Sequence, residues 1–194
     1  GKRDPFVPLA GPNKKAFKKV SSQHSPSKKK KSHKLETPED MPLIPIKVYE
    51  KVKEEYPKTI DRLNDFASIF NDDSALRKLS NKEYRKKVSR YRSLLSKVLG
   101  MQEEMFIRTE LQTDFNKMKF VGTVRKQGAA VALVQTEGQK GHTVKAGTLI
   151  GPNLGIVKTV DEKKIVVLER YRNYLGEFLS RVRNIEFKKN QLEG

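Results

Sequence analysis

The residues of this chain that could do chemistry are few, and their spacing argues against a reaction. Three histidines are present, at His24, His33 and His142. The first two stand among lysines. His142 stands alone beside a glycine turn, where an imidazole serves as a surface or hydrogen-bonded group. Metal sites ordinarily take three or four ligands, and no spacing of His, Asp and Glu here supplies them. Cysteine is absent, which removes disulfides, thiolate ligands and thiol nucleophiles together. Asp72-Asp73-Ser74 has the character of a helix N-cap rather than of a carboxylate dyad, and Glu54-Glu55 that of a solvated helix face. No serine sits in a nucleophile elbow. Gly147, Gly151 and Gly155 are followed by no helix start and no Gly-Lys-Ser/Thr, so they form no phosphate cradle; tight turns or positive φ suit them better. The expectation is a protein that binds rather than catalyses, with no cofactor and no metal.

The chemistry that does remain is cationic. The 194 residues carry 41 Lys/Arg against 23 Asp/Glu, a net charge of +18. The excess is spread along the chain: 11 against 4 in residues 1–40, 14 against 10 in 41–105 and 16 against 9 in 106–194. Such a charge favours a polyanionic partner, whether nucleic acid, an anionic membrane surface or an acidic protein face, or else a solvated surface. No apolar run approaches the roughly 20 residues that span a bilayer. Gly1-Lys2-Arg3 does not have the form of a signal peptide, and a processed secreted protein and a cytosolic one read alike here.

The elements that must position these groups fall into three stretches. Residues 1–40 are expected to be a disordered basic tail, since lysine pairs and the block Lys28 to Lys31 surround a Ser/Pro-rich centre with little apolar surface to bury. A flexible stretch of roughly 40 residues reaches about 35 Å, and its lysines suit acidic partner faces or lipid phosphates. Within it, residues 3–9 (Arg3-Asp4-Pro5-Phe6-Val7-Pro8-Leu9) place one aromatic and two aliphatics between stiffening prolines, as a docking segment would. Residues 41–110 read as helical. Ile46, Val48, Tyr49, Val52 and Tyr56 share a face up to a stop at Pro57. Ile60, Leu63, Phe66, Ile69 and Phe70 mark a second helix, and the capping box Ser80-Asn81-Lys82-Glu83 opens a third with a stripe from Tyr84 to Met101.

From Met118 the period changes from near 3.6 to 2. Met118, Phe120, Gly122 and Val124 alternate with Lys119, Val121 and Thr123, which predicts one face on a core. Further strands are expected over Ala129–Val134, His142–Val144, Leu154–Val160, Lys164–Arg170 and Leu179–Phe187, with a hairpin turn at Asp161-Glu162-Lys163. About seven short strands make a small β-sandwich or barrel. The fold class expected is a mainly β C-terminal domain over 111–189, preceded by the helical region and the basic tail and followed by a short tail at 190–194.

Phe120-Val121-Gly122-Thr123-Val124, then Ala132-Leu133-Val134, then Val144, Gly147, Gly151, Asn153 and Gly155 resemble, in order and spacing, the periplasmic domain of the type IV pilus assembly lipoprotein PilP family. Ile165-Val166-Val167-Leu168-Glu169, Gly176 and the closing Arg181-Val182-Arg183-Asn184-Ile185-Glu186-Phe187 fit as well, and Arg3-Asp4-Pro5-Phe6 matches that family's Arg-Asp-Pro-Phe segment. Two departures stand out: about a hundred residues separate that segment from the β-domain, and the lipid-bearing cysteine is absent from this chain. The resemblance implies a non-catalytic connector tethered to the inner membrane by an upstream lipid anchor, with its β-domain in the periplasm. It implies that Arg3, Asp4, Pro5 and Phe6 bind the PilN–PilO pair, that the β-domain binds the outer-membrane secretin PilQ, and that nucleic acid is not a partner. The alternative is a basic RNA-binding protein, since Val144 to Val160 is loosely similar to the KOW element of a small SH3-like β-barrel. Against it, no aromatics line up in the strands as stacking platforms.

Overall fold

The computed structural model describes residues 37–106 and 108–187. The lysine blocks, the Arg-Asp-Pro-Phe segment and the tail at 190–194 lie outside them.

A 3-10 turn at Pro38–Asp40 leads into a two-residue strand, β1 (Ile44–Pro45), and then α1 (Ile46–Glu55). Pro57, expected as a stop, is also a start: it holds the first turn of α2 (Pro57–Asn71), where a missing N–H costs nothing because that amide has no helical partner. Asp72 caps the short α3 (Asp73–Arg77) by accepting from the Ala75 amide at 2.9 Å. In α4 (Asn81–Met105) the capping box is complete: Ser80 Oγ accepts from the Glu83 amide at 3.3 Å, and Glu83 Oε2 accepts from the Ser80 amide at 2.8 Å. The α4 stripe of Val88, Tyr91, Leu94, Leu95 and Val98 is buried against Val48, Val52, Ile60, Leu63 and Phe70. The stripe is therefore a packing face, as its period requires.

The β-strands form two antiparallel sheets. One holds β2 (Met118–Lys126), β3 (Ala129–Thr136) and β4 (Gly141–Val144) in that order. The other holds β5 (Leu149–Ile150), β6 (Gly155–Val160), β7 (Lys164–Arg172) and β8 (Phe178–Glu186), with β1 added to β7. Phe120, Ala132, Val134, Val144, Ile150 and Ile165 belong to the core of this sandwich. The expected mainly β C-terminal domain after a helical region is what the chain forms. β1 and β5 escape periodicity analysis because two residues cannot show a period. The Val144–Val160 stretch closes no small barrel; it supplies the β5–β6 hairpin of the larger sheet.

One strand departs from its expected face, and a second exposes an apolar side chain. A β-bulge between Phe120 and Gly122 inserts Val121 as an extra residue. Met118 and Phe120 are buried as expected, but beyond the bulge the parity reverses and Val124 is 46% exposed. In β8 the apolar residue Val182 is 59% exposed while Arg183 turns inward.

The glycines of the central turn have separate reasons. Gly151 sits at φ +86°, and a Cβ there would lie 2.4 Å from the Phe115 ring. Gly155 needs no positive φ; a Cβ there would come within 2.6 Å of Val167 Cγ1.

The helices and the sandwich join at the end of β7. Ile44 pairs with Arg172 and Pro45 with Tyr171, and Ile44 is fully buried. The Arg172 guanidinium, only 1% exposed, donates from Nη2 to Asn64 Oδ1 at 3.0 Å and from Nη1 to the Asn173 carbonyl at 3.4 Å. It lies 5.5 Å from the centre of the Tyr49 ring. Asn71 Nδ2 donates to the Leu175 carbonyl at 3.0 Å, and Tyr174 packs edge-on against Phe70. Leu154, from the β5–β6 turn, belongs to the helical core.

Ile44→Ala removes a fully buried side chain at this joint and is expected to cost about 2–5 kcal/mol in urea unfolding. Asn64→Ala leaves a buried cation short of an acceptor and costs about 1–3 kcal/mol. Adding Arg172→Met to Asn64→Ala recovers part of that loss, because no stranded charge remains.

Candidate docking surface

Among the edge strands of the two sheets, β2 and β8 carry exposed large apolar residues. Val121 and Val124 of β2 are exposed, as is Leu133 of β3; on β8, Phe178 and Val182 are exposed on one face and Leu179 on the other, which it shares with Arg181 and Arg183. An exposed edge offers unpaired backbone donors and acceptors to another strand, and proteins commonly block it with bulges and lysines. β2 has both, with its bulge at Val121 and charges at Lys119, Arg125 and Lys126. β8 pairs with β7 without interruption from Lys164↔Glu186 to Arg172↔Phe178. No bulge interrupts that pairing, and among the described residues no strand pairs with its outer edge, which makes it the better docking edge.

What fixes the side-chain parity of β8 is a buried carboxylate. Glu169 of β7 faces inward and is 1% exposed. Its Oε2 accepts from Arg183 Nε and from the Tyr171 hydroxyl, each at 2.8 Å, while Oε1 has no hydrogen-bond partner among the described residues. A buried carboxylate is tolerated only when paired and hydrogen-bonded. Arg183 reaches it diagonally across the strand pair, and Arg181, directly opposite, lays its guanidinium 5.7 Å from the Tyr171 ring centre. Arg181, although exposed, shares the face of Arg183 and Glu169, so the alternate positions Val182 and Phe178 lie on the opposite face. Phe178 is anchored on one side, its ring 5.6 Å from that of Tyr49.

A second polar cluster ties the connecting segment to the smaller sheet. Glu110 accepts from Thr136 Oγ1, contacts His142 Nε2 at 3.3 Å and pairs with Lys140 Nζ at 3.5 Å. The Thr136 hydrogen bond, followed by that of His142, holds the Glu110 carboxyl below its ordinary range. His142 is thus a hydrogen-bonded structural imidazole. Among the described residues no group of three or more His, Asp and Glu is placed to hold a metal ion, and no helix is long and apolar enough to cross a membrane. Arg3, Asp4, Pro5 and Phe6 lie outside the described residues.

The β8 edge was hidden from sequence reading because the pattern Leu-Ser-Arg-Val-Arg looks inward-apolar. The signal that could have exposed it is Glu169: a carboxylate inside an Ile-Val-Val-Leu strand demands an arginine from its neighbour.

Residues 107–187 match the family model of the pilus assembly protein PilP. The solution structure of PilP from Pseudomonas aeruginosa is 30% identical, with 47% of this chain and 82% of that one covered and a TM-score of 0.38. This chain belongs to the PilP family. A domain structure of the type IV pilus biogenesis lipoprotein PilP from Pseudomonas aeruginosa PA01 is 29% identical, covering 43% of this chain and 97% of that one, at a TM-score of 0.38. A domain of the Neisseria meningitidis PilP pilot protein is 21% identical, covering 46% and 76%, at 0.36. No curated protein matches the chain. The family match begins just after α4, so the helical region lies before it.

Burial, reinforced by the hydrogen bond to Glu169 and by its charge, pushes the Tyr171 hydroxyl up to about 12. Folding therefore favours the protonated phenol. The stability this contributes is whole below the unfolded pKa of about 10 and is lost as pH rises through the folded value. Alkaline unfolding followed by phenolate absorbance should show this loss, and Glu169→Gln should bring the Tyr171 titration down.

Proposed function

We propose that this chain is a non-catalytic connector of the type IV pilus machine, linking the inner-membrane PilN–PilO pair to the outer-membrane secretin PilQ. It acts in the periplasm, held to the inner membrane by a lipid anchor upstream. The observation that carries the reading is the outer edge of β8, which pairs with no strand among the described residues and has Val182 exposed on one face and Leu179 on the other. Such an edge takes an added strand: main-chain hydrogen bonds supply affinity, and the flanking side chains supply selectivity.

In this reading the secretin's periplasmic part docks along Phe178–Glu186, and the segment Arg3-Asp4-Pro5-Phe6 binds PilN–PilO. Pilus assembly needs position rather than reaction, so the protein's work is to keep two membranes' machinery in register. The joint at β7 passes load from the docked sandwich to the helices. The stretch before residue 37 sets how far apart the two contacts can stand.

Val182→Lys and Leu179→Lys place a charge where an apolar contact is expected, and both positions are exposed enough to leave folding intact. Each should weaken binding of the purified secretin periplasmic part by about tenfold or more, equivalent to about 1.4 kcal/mol, with little change in thermal unfolding. Unchanged affinity in both variants would contradict docking at β8. Phe6→Ala should weaken capture of PilN–PilO while leaving secretin affinity as it was.

A further inference from the structure

The solvent face of α4 is the largest feature that the β8 edge leaves unused. Between Lys82 and Gly100 the helix has seven Lys/Arg and a single acid, Glu83. That acid is engaged in the capping box. Lys82, Arg85, Lys86, Arg90 and Lys97 are exposed. Among the described residues none of these five has a carboxylate partner within ion-pair distance. The residues between them on the exposed arc are Ser89, Ser93, Ser96 and Gly100.

The arc is informative for what it omits. All the large apolar side chains of α4 point into the helical core, so nothing on this face can insert into hydrocarbon or stack on a base. Protein interfaces draw most of their affinity from buried aromatic and apolar anchors, and none is offered here. A row of cations over short side chains, with about 22 Å from Lys82 to Lys97 at helical rise, fits a sheet of phosphates. Arg62 of α2 stands across a groove of about 560 Å³ from Arg90 and Lys97, a groove that also holds Asp65, Phe66 and Ile69.

We propose that α4 lies with this face against the anionic phospholipid headgroups of the membrane to which the chain is tethered. The proposal rests on the connector reading for the presence of that membrane. Its attraction is electrostatic, so it falls with salt. Each cation held near an anionic leaflet adds roughly fivefold in affinity. Tethered and pinned in this way, the helical region sets the direction in which β8 faces the secretin.

The test uses the full chain and its variant Lys82→Gln, Lys86→Gln, Arg90→Gln, Lys97→Gln, in which glutamine keeps the helix propensity. A control removes the same charge from the sandwich: Lys126→Gln, Lys145→Gln, Lys158→Gln, Lys163→Gln. Sedimentation with vesicles of phosphatidylethanolamine and phosphatidylglycerol should show binding that salt weakens and that phosphatidylcholine vesicles do not support. The α4 variant should lose on the order of 100-fold or more in affinity, and the control much less. Equal loss in variant and control would overturn the proposal, since net charge alone would then explain binding. So would full binding by the α4 variant, or an α4-dependent preference for an RNA oligomer over anionic vesicles at the same salt. Secretin binding is measured on the same proteins. If the unmodified chain fails to bind secretin, the connector reading falls, and the vesicle result still stands or falls by itself.

Discussion

One residue pair, Ile44 opposite Arg172, governs how the two halves of this protein relate. β7 spends its first half in the sandwich and its last two residues holding β1, the entry to the helical region. Arg172 is the large side chain buried at that point, and its partners come from α1, α2 and the turn after β7. A cation there with neutral acceptors and an aromatic face is a costly choice for stability alone. It makes docking specific, because only one placement of Asn64 and Tyr49 satisfies it. The described helices and sandwich accordingly form one unit.

The same strand sets the outer surface. Glu169, within β7, holds Arg183 on the sandwich face and so sets which residues of β8 lie on the other face. A buried charge thereby leaves apolar side chains exposed on an edge strand. The joint and the edge are linked through β7, and through the contact of Phe178 with Tyr49. A partner bound along β8 is mechanically connected to the helical region by side chains already in place.

Much of the fold was legible in the sequence. Three of the four α-helices among the described residues were marked by period and caps, and the capping box at Ser80 forms as read. The strands of the sandwich were legible wherever they ran longer than three residues. What escaped was non-local. The two-residue β1 owes its existence to β7, more than a hundred residues away, and no local pattern announces it. The bulge at Val121 reverses a face through a single inserted residue. The β8 edge depends on a carboxylate in another strand, which no pattern within β8 reports. The family resemblance was carried by glycines that the structure explains separately, Gly151 by its φ and the Phe115 ring, Gly155 by the closeness of Val167.

The central claim is that the secretin is met along β8. The most direct measurement is backbone amide NMR of the full chain titrated with the unlabelled periplasmic part of the secretin. The account predicts the largest shifts or protection at Phe178 to Glu186, fading into β7, with α4 unaffected. Perturbation confined to β2–β4 or to the helices, with β8 unmoved at saturation, would contradict it.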